Sequence, residues 1–141
     1  SNNFIKEYFD RYRVALNLDI ESELIKSRDL ILEVKHSKNK LIVVGNGGSC
    51  AIASHAIVDF TKQAGVRSVN LSDPSLITCF ANDYGYEQWL SKGIEFYGDD
   101  GDLLVAISSS GDSENIVRAV HSARKKGIKV ITFTGVRVVS Y

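Results

Sequence analysis

Residues 42–55 read IVVGNGGSCAIASH, and the fold turns on how this stretch is read. Ile42, Val43 and Val44 form a β-branched apolar run without alternation, as expected of a strand covered on both faces. From Ser49 the residues become small and then fall into helical spacing as far as Gly65, a glycine placed to stop a helix. Between the two periods lie Gly45, Asn46, Gly47 and Gly48. One glycine would be enough to turn the chain. Three glycines and an asparagine point to something that comes close to the backbone.

Outward from this junction the same alternation repeats. Residues 66–71 (VRSVNL) read as a second strand, residues 102–111 (DLLVAISSSG) as a third running into a serine turn, and residues 128–135 (IKVITFTG) as a fourth. Residues 73–85 open with Asp73 as a cap and Pro74 at the first helical position, then continue as a short helix. Residues 86–97 are another helical piece, and residues 112–127 an amphipathic helix ended by Gly127. Continuous apolar strands alternating with helices predict a parallel, doubly wound α/β sheet. Upstream, Phe4, Ile5, Tyr8, Phe9, Tyr12 and Leu16 recur at three-to-four spacing, as do Ile20, Leu24, Ile25, Ile31 and Leu32. The break at residues 17–19 predicts two helices, the second capped by Asp19. Residues 136–141 (VRVVSY) look like a strand with no room for a crossover. Either this tail is irregular, or residues of the natural chain are absent.

The bulk composition narrows the function. With 141 residues, 44% of them hydrophobic and 24% charged, the chain fits one globular domain. Seventeen Lys and Arg balance seventeen Asp and Glu, so the charge gives no reason to expect nucleic acid or an anionic membrane as a partner. No apolar run approaches the roughly 20 residues of a membrane span, and no secretory signal is visible. Cys50 and Cys79 lack a CxxC spacing and read as reduced structural residues, which predicts a cytoplasmic protein.

Two turns sit at the carboxyl ends of strands, where open parallel sheets bind ligands. In the first, Ser49 and Cys50 stand where a Walker loop needs lysine and a hydroxyl. Cys50 also occupies the place of the third glycine of a dinucleotide fingerprint, so no nucleotide is expected. In the second, Ser108, Ser109, Ser110 and Ser113 place four hydroxyls before a helix N-terminus, whose free amides and dipole favour an anion. One serine would suffice for a cap, so four predict a phosphate site. Glycines then let the backbone approach a sugar, while Asn46 and Ser49 supply directed polar contacts.

These residues resemble the SIS (sugar isomerase) domain family, most closely its phosphoheptose isomerase branch. The likeness runs from about residue 2 to residue 135 and rests on GNGGS, SHAIVDF, CFANDYGYE and ISSSGDSEN followed by TG, in that order. It implies a three-layer αβα sandwich of flavodoxin-like strand order preceded by N-terminal helices. A single domain spans residues 1–141, with 1–38 used for oligomer packing and 39–141 as the sugar-phosphate-binding core, whose C-terminal part is expected to be missing. It also implies a homotetramer with shared active sites, converting sedoheptulose 7-phosphate to a mannoheptose 7-phosphate for lipopolysaccharide, capsule or related glycans. Carried across, Asn46, Gly47 and Gly48 contact the sugar, Asn82 and Asp83 bind its hydroxyls, and Ser108, Ser109, Ser110 and Ser113 hold the phosphate.

In some members a histidine and a glutamate four residues apart bind zinc, together with a glutamine and a histidine from a C-terminal helix. The resemblance puts His55 and Asp59 at the first two places, making zinc the implied cofactor and Asp59 the implied base or its partner. Aspartate is one methylene shorter than glutamate, and about 1 Å of displacement can cost about a hundredfold in rate. The C-terminal glutamine and histidine have no counterpart, and His36 and His121 lie in the wrong segments to replace them. A sugar-phosphate-binding regulator or a replication-initiation protein without turnover is the alternative these departures raise.

Overall fold

The computed structural model describes residues 2–135; the strand-like tail read at residues 136–141 lies outside them. Along those residues run α1 (Asn2–Leu16), α2 (Glu21–Ser37), β1 (Leu41–Gly45), α3 (Gly48–Lys62), β2 (Ser68–Val69), α4 (Pro74–Tyr84), α5 (Trp89–Tyr97), β3 (Leu103–Ser108), α6 (Glu114–Lys125) and β4 (Lys129–Thr134). All strand pairs are parallel, in the order β2-β1-β3-β4. This is the flavodoxin-like order that the resemblance implies. Winding reverses between β1 and β3, which pair from Leu41 with Leu103 to Gly45 with Ile107.

Strand residues alternate between two cores because successive side chains point to opposite faces. Ile42, Val44, Leu104 and Ala106 pack with Trp89, Leu90, Ile94, Ile116 and Val120 of α5 and α6. Leu41, Val43, Leu103, Val105 and Ile131 pack with Val34 of α2 and Ala53 of α3. The expected three layers follow from this, and every residue of β1 is buried. Burying each such Ile or Val contributes about 1.5–3 kcal/mol. Outside the sandwich, α1 carries Phe4, Tyr8, Phe9 and Tyr12, between 48% and 66% exposed. Phe4 stacks on Tyr8, and Tyr8 lies beside Tyr12, at the i, i+4 spacing of a helix surface.

The opposite end of the sheet is tied by one buried carboxylate. Asp102, 1% exposed, accepts hydrogen bonds from the amides of Asp99 and Lys40 and from Lys40 Nζ at 2.6 Å. Lys40 Nζ also reaches Asp99 at 2.7 Å. Burial pulls the Lys40 ammonium down, and the hydrogen bonds it donates to Asp102 and Asp99 more than reverse it, leaving it above its ordinary value. Asp99 is held below its ordinary value, chiefly by its hydrogen bond from Lys40.

Local expectations fare unevenly. Asp73 caps α4 as read, accepting from the amides of Ser75 and Leu76 with Pro74 at the first helical position. Gly65 takes φ +64° and reverses the chain after α3, with the Val66 amide bonding back to Phe60 O. Asp19 does not cap α2. The cap position is Ile20, without a side-chain hydrogen bond, so Asp19 stands one residue too early to reach the first-turn amides. The second strand shrinks to the two residues Ser68 and Val69, which pair with Leu41 and Ile42 at the start of β1. Both cysteines are free, Cys50 half-buried and Cys79 exposed.

Candidate active site

The two turns singled out in the sequence emerge side by side, from β1 and from β3, at the point where winding reverses. Each glycine of the first turn is there for a different reason. A Cβ on Gly45 would lie 2.6–2.7 Å from the backbone and Cβ of Ser49, so only glycine lets α3 start this close to the strand. Gly47 adopts φ +53°, a conformation that L side chains avoid. Gly48 has no positive φ, and a Cβ there would meet nothing within 4 Å. The fold itself places no demand for glycine at that position. The open space beside it is what a side chain would fill.

Both helix starts leave donors unspent. Asn46 O takes the amides of Ser49 and Cys50, while the amides of Gly47 and Gly48 have no hydrogen bond among the described residues. At α6, Ser113 O takes the amides of Ile116 and Val117, leaving those of Ser113, Glu114 and Asn115 in the same state. Ser113 occupies the cap position, yet its side chain makes no cap hydrogen bond. Capping therefore does not account for this serine. Ser108 is buried, and its Oγ accepts from the Gly111 amide at 3.1 Å, closing the turn from inside. Ser110 Oγ lies 3.4 Å from the Asp112 amide, Ser109 is exposed, and Ser110 and Ser113 are half-buried. No cation is needed to build this cradle, since orphan amides, hydroxyls and a helix dipole already favour an anion.

A pair of side-chain amides joins the two turns. Asn46 Nδ2 donates to Asn115 Oδ1 at 2.9 Å, and Asn115 Nδ2 donates to Asn46 Oδ1 at 2.8 Å. Asn46, expected to face a sugar, thus spends one donor and one acceptor inside the protein. Asn115 was not singled out from the sequence. Its only prior signal is its place directly after the serine turn, in the motif ISSSGDSEN. A second missed group flanks the glycine turn on its other side, where Cys50 Sγ lies 3.1 Å from Ser72 Oγ and Asn70 Nδ2 donates to Ser54 Oγ at 2.9 Å.

The remaining predicted residues sit elsewhere. His55 Nε2 and Asp59 Oδ2 are 3.4 Å apart on the exposed face of α3, as their spacing of four implies. Asp59 comes eleven residues after Gly48 in one helix, which places it about 16 Å along the axis from the glycine turn at 1.5 Å per residue. Asn82 and Asp83 are exposed near the end of α4, where Asn82 Nδ2 bonds Asp83 Oδ1 at 2.9 Å and Cys79 Sγ lies 3.7 Å from Asp83 Oδ2. Among the described residues, no hydrogen bond links either to the turns. Zinc needs about four ligands, and no group of three or more His, Cys, Asp or Glu able to hold a metal occurs among the described residues. His55 and Asp59 supply half of such a shell, so the described residues do not by themselves fit zinc.

Two grooves can be set aside for a phosphosugar. One of about 400 Å³, between α2, α3 and the sheet, is lined by Ile31, Val43, Ile52, Phe60, Ile107 and Phe133; it offers almost nothing to a hydroxyl or a phosphate. The other, about 230 Å³ between α5 and α6, holds Arg118, His121 and Lys125. Its Arg118 is already paired with Glu114 at 2.6 Å. No helix among the described residues is long and apolar enough to cross a membrane.

Comparison with known proteins bears on the same residues. The family described as SIS domain matches residues 7–135. A phosphoheptose isomerase of Fusobacterium nucleatum is 34% identical over 142 residues, covering 94% of this chain and 73% of the relative. One from Sodalis glossinidius is 42% identical over 111 residues, covering 75% of this chain and 57% of the relative. Among solved structures, the phosphoheptose isomerase of Neisseria gonorrhoeae superposes with a TM-score of 0.86 at 31% identity, over 94% of this chain and 74% of that one. That of Francisella tularensis gives 0.85 at 28% identity over the same shares. The chain thus spans between just over half and three quarters of the length of these relatives.

Proposed function

We propose, for a chain that belongs to the SIS domain family, the interconversion of sedoheptulose 7-phosphate with a glycero-manno-heptose 7-phosphate. The observation that carries this reading is the pairing of a serine-rich helix start with a glycine turn across the sheet's switch point, joined by Asn46 and Asn115. The serine turn receives the phosphate through Ser109, Ser110, Ser113 and the orphan amides of α6, while Ser108 holds the turn's shape. The amides of Gly47 and Gly48, with Asn46 and Ser49, receive the hydroxyls of the open-chain sugar. Names shared by relatives at 34–44% identity support the same substrate class.

The reaction moves one proton between neighbouring carbons. A base takes it from C1 of the open-chain ketose, and the bonding pair becomes the C1–C2 double bond of an enediol as the C2 oxygen gains a proton. Returning a proton to C2, with loss of the O1 proton, leaves the aldose. Asp59 is the proposed base, oriented by His55 at 3.4 Å. The stretch of about 16 Å along α3 between Asp59 and the glycine turn supports a site shared between copies, in which Asp59 of one chain serves the turns of another. Asn82 and Asp83 reach the sugar hydroxyls in the same way. The exposed aromatic stripe of α1 and the exposed Ile52 and Val58 beside His55 and Asp59 support assembly as a homotetramer. Zinc enters the proposal only as an ion that His55 and Asp59 would share with groups outside the described residues, and no step above passes through it. The two free cysteines support a cytoplasmic setting.

Calorimetry with sedoheptulose 7-phosphate tests the phosphate assignment. Replacing Ser110 and Ser113 together by alanine weakens binding at least about tenfold, or about 1.4 kcal/mol, with the fold intact by circular dichroism. Native affinity in that double variant refutes it.

A further inference from the structure

We propose that Asn115 is a positioning residue, its buried carboxamide clasping Asn46 so that the glycine turn and the serine turn grip the two ends of one phosphosugar at a set separation. This rests on the functional reading above and assigns a role to a residue that touches neither end of the substrate. Asn115 is 4% exposed, and its carboxamide makes three hydrogen bonds within the protein, of the about four open to such a group. Nδ2 donates to Asn46 Oδ1 at 2.8 Å, while Oδ1 accepts from Asn46 Nδ2 at 2.9 Å and from the Ile116 amide at 3.0 Å. The Ile116 contact locks the amide plane to the first turn of α6. The other two close a ring with Asn46.

The residue type follows from the geometry. A carboxamide carries a donor and an acceptor side by side on one planar group at any ordinary pH, so two facing amides close such a ring. The ring spans the gap that the sheet leaves. Pairing of β1 with β3 stops at Gly45 and Ile107. Beyond that register, the reciprocal amides are the side-chain link between the turns among the described residues. Asn46 directly precedes Gly47, whose positive φ marks the point at which the turn changes direction. A ligand held at one end only does not sense the separation of the turns. A ligand held at both ends does, because a shift in either cradle breaks one set of its contacts.

The test therefore compares ligands of one and two ends, by calorimetry on the full chain with inorganic phosphate and with sedoheptulose 7-phosphate. Asn115→Leu weakens the sugar phosphate at least about tenfold while inorganic phosphate stays within about twofold. Asn115→Asp supplies a second readout. As a carboxylate it turns an acceptor toward Asn46 Oδ1, and as a carboxylic acid it donates there and restores the ring. Burial and the phosphate held beside it raise such a carboxyl, against the lowering by the Ile116 amide and the start of α6, so the ratio of its sugar-phosphate affinity to that of wild type recovers as the pH falls from about 8 toward about 4. The Asn115→Leu ratio stays flat. Equal losses for both ligands, no loss, or a flat Asn115→Asp ratio overturn the clasp. If the wild-type chain itself fails to bind sedoheptulose 7-phosphate, the functional reading falls first, and the clasp falls with it.

Discussion

Replacing Gly45 by alanine should cost this protein both stability and ligand binding, and the structure says why the two losses travel together. The added Cβ would lie 2.6 Å from the carbonyl carbon of Ser49 and 2.7 Å from its Cβ and its oxygen. Ordinary carbon contacts lie at about 3.5–4.0 Å, so the shortfall is about 1 Å. The obstruction is the backbone of the first turn of α3, not the end of a flexible side chain. Gly45 cannot retreat either, because it is buried and paired with Ile107. The start of α3 must therefore move by about 1 Å, at a cost of about 1–3 kcal/mol for an overpacked interior. That movement carries Asn46, Gly47 and Gly48 with it, and about 1 Å at a reacting site costs about a hundredfold in turnover. Gly48→Ala is the control. Its Cβ meets nothing within 4 Å, and alanine in a helix is favoured over glycine by up to about 1 kcal/mol, so this variant keeps or gains stability. It should still lose sugar-phosphate affinity, because the methyl fills the space left for the ligand. Urea denaturation reads stability, and calorimetry with sedoheptulose 7-phosphate reads binding. A Gly45→Ala chain of native stability, or a Gly48→Ala chain of native affinity, would refute the reasoning.

Other perturbations separate the remaining parts. Asp59→Asn should bind sedoheptulose 7-phosphate normally and lose isomerisation, followed by the interconversion of ketose and aldose; full turnover in that variant moves the base elsewhere. If sites are shared between copies, mixing Asp59→Asn with the Ser110/Ser113 double variant should restore up to about a quarter of native activity in mixed oligomers, and no restoration on mixing would place both functions in one chain. Lys40→Met strips the cation from Asp102, whose side chain is 0% exposed, and should cost about 3 kcal/mol in urea denaturation; a loss below about 1 kcal/mol would show that the remaining donors, two backbone amides and Asn39 Nδ2, satisfy that carboxylate. The Lys40–Asp99 link also sets a pH window. Asp99 is held low and Lys40 high, so its contribution is present from above the usual carboxylate range (about 4) to below the usual lysine value (about 10.4). It fades as acid protonates Asp99 and as alkali neutralises Lys40. In Asp99→Asn, the stability difference from wild type should be flat across that window and shrink on both sides. A difference that grows toward acid contradicts this sign.

Much of the fold was legible along the chain because its determinants are local. The unbroken apolar runs of β1 and β3, the Asp73–Pro74 start of α4 and the reversal at Gly65 are each decided within a few residues. Where the readings missed, residue type alone was too coarse a guide. Asp19 looked like a cap until the entry into α2 placed Ile20 there. Residues 66–71 looked like a full strand, yet only Ser68 and Val69 pair with β1. In the site, four serines announced an anion cradle, but their sequence did not say that Ser108 turns inward and that Ser113 leaves its hydroxyl uncommitted.

By itself, the sequence determined the alternation of strand and helix, the chemistry of each turn and the order in which those turns occur. Periodicity and glycine conformation are properties of neighbouring residues, so a string of residues carries them. Tertiary structure decided which turns meet. Asn46 and Asn115 are 69 residues apart, and they touch because β1 and β3 pair in parallel and end at the same edge. Distance along a chain becomes distance in space only after the crossovers are laid down, and no local pattern encodes that conversion.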